Sequence, residues 1–176
     1  MTETMRRATA DDAARLSLLG GATFLTSFAF DHPGDAIVEH VQRTHSPEWY
    51  AATIADPDCA IWIVETELGA PVGYAVMTPP DVNHPTRPGD LELKRIYVLH
   101  GWQQGGWGVK LLRAVEAEAA ARGADRLLLC VYTVNHRAQR FYAREGFADT
   151  GSRQAFLVGD VPFDDAIWEK ALPRTI

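Results

Sequence analysis

The chain is poor in several features that mark whole classes of protein. It has only two cysteines in 176 residues, Cys59 and Cys130. Both lie in apolar runs ("CAIWIV" and "LLLCV"), which reads as buried, reduced thiols and leaves no disulfide framework to staple a fold. CxxC pairs are absent and the six histidines show no metal-ligand spacing, so no metal is expected. Basic charge is also short: Lys+Arg 17 against Asp+Glu 23 leaves a net charge of −6. A nucleic-acid binder would carry a basic patch, so no nucleic-acid partner is expected. The one long apolar stretch, Leu16 to Phe30, is broken by Ser, Thr and a Gly pair and follows "DD" rather than a basic segment. It is shorter than a bilayer span. It reads as a core helix, so no membrane partner and a cytoplasmic location are expected.

What is present suits one soluble domain over residues 1–176, with hydrophobic content of 47% and charged residues at 23%. A chain of this size buries roughly 70% of the surface its unfolded form exposes. "MRRAT" followed by "ADDAARLSLL" reads as a short strand and then a helix, with Thr9 or Asp11 near its N-cap. Short helices bounded by Pro33, Pro47 and Pro57 follow, and "CAIWIVETELGAPVGYAVMT" gives a hairpin. In "LELKRIYVL", strict alternation places Leu91, Leu93, Arg95 and Tyr97 on one side and Glu92, Lys94, Ile96 and Val98 on the other. A helix from Gly106 to about Arg122, the buried strand "RLLLCVYT", a short helix ending at Gly146 and two last strands complete the order. The pattern predicts an α/β or α+β domain, a mixed sheet with helices packed on it.

The stretch "GWQQGGWGVKLL" places four glycines between Gly101 and Gly108, directly before a helix. Bare backbone at a helix N-terminus presents unpaired N–H groups and the positive end of the helix dipole, which suits a phosphate. Three phosphate patterns compete, beside a plain strand-to-helix turn. A dinucleotide fingerprint fails because Leu111 stands at its third glycine, and a P-loop fails because Trp107 replaces the lysine and Gly108 the Ser/Thr. The third, [Q/R]xxGx[G/A], is met by Gln103, Gly106 and Gly108.

Further on, "NHRAQRFYAREGF" supplies Asn135, Ala138, Phe141, Tyr142, Gly146 and Phe147 in the spacing Nx₂Ax₂FYx₃GF. In this order, the two motifs resemble those of the GNAT superfamily of acyl-CoA-dependent N-acyltransferases, most firmly over residues 91–147. The resemblance implies a mixed, mostly antiparallel sheet of about seven strands, with helices on both faces and a splayed parallel pair at the centre. It implies acetyl-CoA as co-substrate, contacted by Val98, Gln103, Gln104, Gly105, Gly106, Trp107, Gly108 and Asn135. The Val98 N–H would polarise the thioester carbonyl, and Asn135 serves equally well as an N-cap.

By the same resemblance, Tyr142 is the general acid, since a phenol of pKa about 10 is protonated at neutral pH. Glu92 is the general-base candidate, with His100 and Tyr97 as substitutes and a carboxylate at the solvent end of a strand as the plain alternative. Lys110 and Arg113 are candidates for a coenzyme A phosphate or simply a solvated helix face. "ATFLTSF", "ELKRIYVL" and "DDAIWEKAL" look most like the spermidine/polyamine acetyltransferase branch. The expected acceptor is therefore a small primary amine, polyamine-like or amino-acid-derived, received near Asp31, Asp35 and Glu39 beside Phe28 and Phe30. A homodimer is frequent among such relatives. Peptide or protein acetylation, and a non-catalytic acyl-CoA-binding module, remain alternatives.

Overall fold

A computed structural model describes residues 3–173 of the chain. The N-terminal strand β1 (Thr4–Arg7) leads through a 3₁₀ turn into helices α1 (Ala13–Phe28), α2 (Gly34–Thr44) and α3 (Pro47–Ala55). Thr9 caps the turn, and the Asp12 carboxylate accepts from its N–H at 2.8 Å. The stretch weighed against a membrane span is thus α1, whose Leu16, Leu19 and Phe24 are buried in the fold. No helix among the described residues is long and apolar enough to cross a membrane.

Strands β2 (Ala60–Glu65), β3 (Pro71–Thr78) and β4 (Leu91–Val98) run antiparallel in sequence. Helix α4 (Trp107–Ala121) then leads to β5 (Arg126–Tyr132), and α5 (His136–Arg144) to the hairpin of β6 (Ala148–Val158) and β7 (Val161–Ala171). The seven strands lie in the order β1-β2-β3-β4-β5-β7-β6, with β4 and β5 the parallel neighbours. Helices cover both faces: α4 and α5 on one, α1, α2 and α3 on the other. This is the mixed architecture that the sequence predicts.

On the first face α4 lays Leu111, Leu112, Val115 and Ala119 onto Leu127, Leu129 and Met77 of the sheet. Truncating one of these fully buried leucines to alanine costs about 2–5 kcal/mol. On the second face Leu16, Leu19 and Tyr50 pack on Ile61, Ile63 and Tyr74. Cys59 and Cys130 are partly buried and form no disulfide, and burial pushes their thiols up to about 11 and about 12.

Two departures from regular sheet geometry create the site. β4 and β5 are paired only at Leu91↔Leu127 and Glu92↔Leu128; beyond that point they separate. β4 also carries one surplus residue against β3, because Val76 faces Arg95 while Met77 faces Leu93, leaving Lys94 as a bulge. The bulge overturns the predicted alternation. Leu91, Leu93, Ile96 and Val98 all pack with the α4 core, while Tyr97 packs with the α1 side. Glu92 therefore does not share a face with Val98.

Candidate active site

Where β4 and β5 separate, a cleft of about 770 Å³ opens, lined by the end of β4, the start of α4 and one side of α5. Leu99 donates its N–H to Val72 O at 2.8 Å. Bonded pairs alternate along an antiparallel ladder, so the neighbouring Val98 turns its own N–H and C=O away from β3 and into the gap. The Val98 carbonyl there accepts from Gln103 Nε2 at 3.1 Å, and Gln103 Oε1 accepts from Arg137 at 2.7 Å. Gln103 thus ties the strand end to the glycine loop and to α5.

Gly106 is the N-cap of α4 with φ +70, a left-handed conformation that favours glycine. The Lys110 N–H makes the first helical bond, to Gly106 O at 3.1 Å. The N–H groups of Trp107, Gly108 and Val109 are therefore the unpaired first turn. Gln103, Gln104, Gly106 and Gly108 line the cleft, and a Cβ on Gly108 would sit 3.7 Å from the Phe141 ring. Trp107 contributes no side chain there, because its indole is buried in the α4 core with Lys110 Nζ 4.0 Å from the ring. Gly105 stands just outside, and a Cβ on it would press on that indole at 2.9 Å.

Arg113 is engaged by Glu116 and Glu145, at 2.7 and 2.6 Å. Neither it nor Lys110 lines the cleft. The cations that do are Arg137, Arg140 and Arg144 of α5, which the sequence reading passed over. Their spacing of three and four residues was the available signal, since it places them along one helix face.

Asn135 caps α5, its Oδ1 accepting from Ala138 N at 3.1 Å, and its side chain lies at the edge of the same cleft. Tyr142 is buried on the inner face of α5, and burial raises its phenol well above the ordinary value. Its hydroxyl is thus a proton-bearing group at neutral pH.

Behind the cleft lies a second cavity of about 330 Å³. Ile96, Tyr97, Asn135, Ala138 and Tyr142 line both, forming the wall where the two meet. The inner pocket is roofed by Phe24 and Phe28 of α1 and by Phe156 of β6. Glu92 lies in it, buried, its carboxylate accepting from Asp81 N at 2.7 Å with Lys94 Nζ at 3.3 Å. Burial raises the Glu92 carboxyl and Lys94 opposes that rise. Asp165 of β7 lines the same pocket, pushed up by burial and by Asp164 to about 7. His100 lines the outer cleft and Tyr97 the shared wall.

The acidic group expected to receive the acceptor does not line this pocket. Asp31 accepts from Tyr132 Oη at 2.8 Å and pairs with His32 Nδ1 at 2.6 Å. Asp31, Asp35 and Glu39 do not line the pocket, and Phe30 is 72% exposed. The carboxylates in the pocket are Glu92 and Asp165.

The acetyltransferase (GNAT) family model matches residues 25–147, from the last turn of α1 to the end of the α5 motif. The chain belongs to this family. It is 34% identical over 142 residues to an uncharacterized N-acetyltransferase of Mycobacterium tuberculosis, covering 81% of this chain and 86% of that protein. A second relative, an uncharacterized N-acetyltransferase of Lactobacillus delbrueckii, is 27% identical over 151 residues, covering 85% of this chain and 86% of that one. The family membership makes the protein an acyltransferase. Among solved structures, the PaiA N-acetyltransferase of Thermoplasma acidophilum, in complex with coenzyme A, matches with TM-score 0.78 at 18% identity, covering 97% of this chain and 99% of that one. The YncA acetyltransferase of Salmonella typhimurium, with acetyl-CoA, matches with TM-score 0.70 at 20% identity, covering 100% and 97%. These two share the GNAT fold with the family member described here.

Proposed function

We propose that the protein transfers an acetyl group from acetyl-CoA to a primary amine of a small molecule, by direct attack within a ternary complex. The observation that carries this reading is the meeting of the two cavities at Tyr142. The outer cleft fits the donor. Its glycines leave room for a pyrophosphate against the first-turn N–H groups of α4, and Arg137, Arg140 and Arg144 supply compensating charge. The gap between β4 and β5 takes the pantetheine arm, with Val98 N–H directed at the thioester carbonyl and Asn135 at the arm's edge.

The inner pocket takes the acceptor. An ammonium must lose a proton before it can attack, and Glu92 and Asp165 are the carboxylates in place to receive it. The freed nitrogen forms a bond to the carbonyl carbon, and the Val98 N–H stabilises the oxyanion. On collapse the C–S bond breaks, Tyr142 protonates the departing sulfur, and the nitrogen's second proton restores the phenol. The products are the N-acetylated amine, free coenzyme A and one proton. A polyamine is one such acceptor, although Asp31, Asp35 and Glu39 lend it no support.

The test is acetyl-CoA turnover against a panel of polyamines, amino acids, aminoglycosides and peptides, read as thiol release and confirmed by mass of the product. The expected result is stoichiometric thiol and N-acetyl product with a small amine. Tight acetyl-CoA binding with no transfer to any amine would favour a sensing module instead.

A further inference from the structure

The inner pocket holds a guanidinium and a carboxyl group that lack close ionic partners. Four permanently charged or acidic side chains face it: Glu92, Lys94, Arg95 and Asp165. Lys94 is taken up by Glu92 and Asp81, with Nζ at 3.3 and 3.6 Å from their carboxylates. Among the described residues, the Asp165 side chain makes no hydrogen bond or close ion pair, Lys94 acting on it only electrostatically, and Arg95 has no carboxylate partner. The Arg95 guanidinium lies on the Trp49 ring at 3.8 Å and donates one nitrogen to Thr44 O at 2.6 Å. Its other terminal nitrogen, Nη1, is buried without an acceptor in hydrogen-bonding geometry, although the guanidinium also lies 5.4 Å from the Tyr50 ring and acts on its hydroxyl. A buried charge left unpaired is costly, and Arg95 and Asp165 line one cavity without pairing with each other.

His40 and His45, two of the three histidines that line the pocket, do not serve as cations. Burial, helped by Arg43 and Arg95, lowers His40 to about 4, and burial with Arg95 lowers His45 to about 2. Both are neutral at physiological pH, and His32, the third histidine of the pocket, is engaged by Asp31 at 2.6 Å, so among the described residues Arg95 is the pocket cation without a carboxylate partner. Its planar fork, held flat on an indole, has the geometry that recognises a carboxylate.

We infer that the acceptor is a free α-amino acid, whose carboxylate is bound by Arg95 and whose ammonium is received by Asp165. This rests on the acetyltransferase reading above and narrows its substrate class. The side chain of such a ligand would lie among Phe24, Phe28 and Phe156, which form an apolar roof. That lining favours an apolar or aromatic amino acid. A polyamine offers nothing to Arg95 and brings a second cation close to it.

The experiment compares each common L-amino acid with its decarboxylated amine and its methyl ester, by kcat/KM for acetyl-CoA-dependent acetylation. At least one amino acid is expected to exceed both its amine and its ester by tenfold or more. Arg95→Met keeps an apolar stem on Trp49 and should bring that ratio to about one, mainly through KM; Arg95→Lys should recover part of it. If Arg95→Met does not fold, the wild-type ratios and Arg95→Lys decide alone. Wild-type enzyme that acetylates amines or esters as well as amino acids overturns the inference and leaves the acetyltransferase standing. So does acetyl-CoA binding, seen by calorimetry, with no amino acid in the panel acetylated. Failure to bind acetyl-CoA at all would instead remove the broader reading.

Discussion

The outer cleft and the inner pocket share a wall but are made of different material. The cleft presents main chain: the Val98 amide, the first turn of α4 and a glycine at φ +70, with arginines at its mouth. The pocket presents side chains from all five helices except α4 and from β4, β5, β6 and β7, many of them aromatic, with buried ionisable groups among them. A surface of backbone N–H groups is the same whatever residues flank it, so it suits a donor common to a whole family. A surface of side chains can be changed one residue at a time, which suits an acceptor that varies.

Tyr142 tests the shared wall and carries the largest expected effect. Tyr142→Phe keeps the ring in its core contacts with Phe141 and Phe147 but removes the proton donor. Turnover should fall roughly 10- to 1000-fold, the scale of general acid catalysis, with acetyl-CoA affinity nearly unchanged in calorimetry. Wild-type turnover would reduce Tyr142 to a packing residue.

Gly108→Val breaks the cleft alone. Gly108 has no left-handed φ, so the change fills space without backbone strain. Coenzyme A affinity should drop at least about tenfold, roughly 1.4 kcal/mol, while the thermal midpoint holds. Unchanged affinity in the folded variant would place the pyrophosphate elsewhere. A smaller effect belongs to the exposed arginines. Arg140→Ala with Arg144→Ala should weaken coenzyme A binding about threefold at low salt and less as ionic strength rises. A loss independent of salt would count against phosphate contact.

The smallest effect concerns the pocket's stability to acid. Burial holds His40 at about 4, below its ordinary 6.5. The unfolded chain takes up that proton near pH 6.5 and the folded chain only near pH 4. The stability tied to a neutral His40 is therefore complete above pH 6.5 and is lost as pH falls from 6.5 toward 4. The thermal midpoint of the wild type should drop by a few degrees across that window, and that of His40→Leu by less. Equal slopes would show that His40 is not the group being titrated.

The same contrast explains what could be read from the chain before its structure. Apart from three residues of α1, the cleft is built from two contiguous stretches, from Ile96 to Val109 and from Asn135 to Arg144, and contiguous motifs are visible in a sequence. The succession of elements along the chain and the helix of buried leucines at 111 and 112 were visible for the same reason, as local periodicity. The pocket is assembled from Phe24, Glu92, Arg95 and Asp165, which are far apart along the chain and meet only through the sheet. Asp31, Asp35 and Glu39 looked suitable because they cluster in sequence; Tyr132 and His32, which engage Asp31, come from other positions in the fold. Glu92 was assigned to the wrong face because alternation assumes an unbroken pleat, and nothing in "LELKRIYV" announces a bulge.

Lys94 makes β4 behave as two half-strands that are out of phase. Upstream of it, even positions look toward the inner pocket; downstream, odd positions do. Deleting this one residue would bring the halves into step and reverse the upstream half. Glu92 would turn into the oily layer under α4, and Leu91 and Leu93 would turn into the pocket. The composition of both compartments would change although every other residue kept its identity. The sorting of carboxylate from hydrocarbon in this enzyme is thus a matter of counting, and it depends on a single residue that the ladder with β3 does not use.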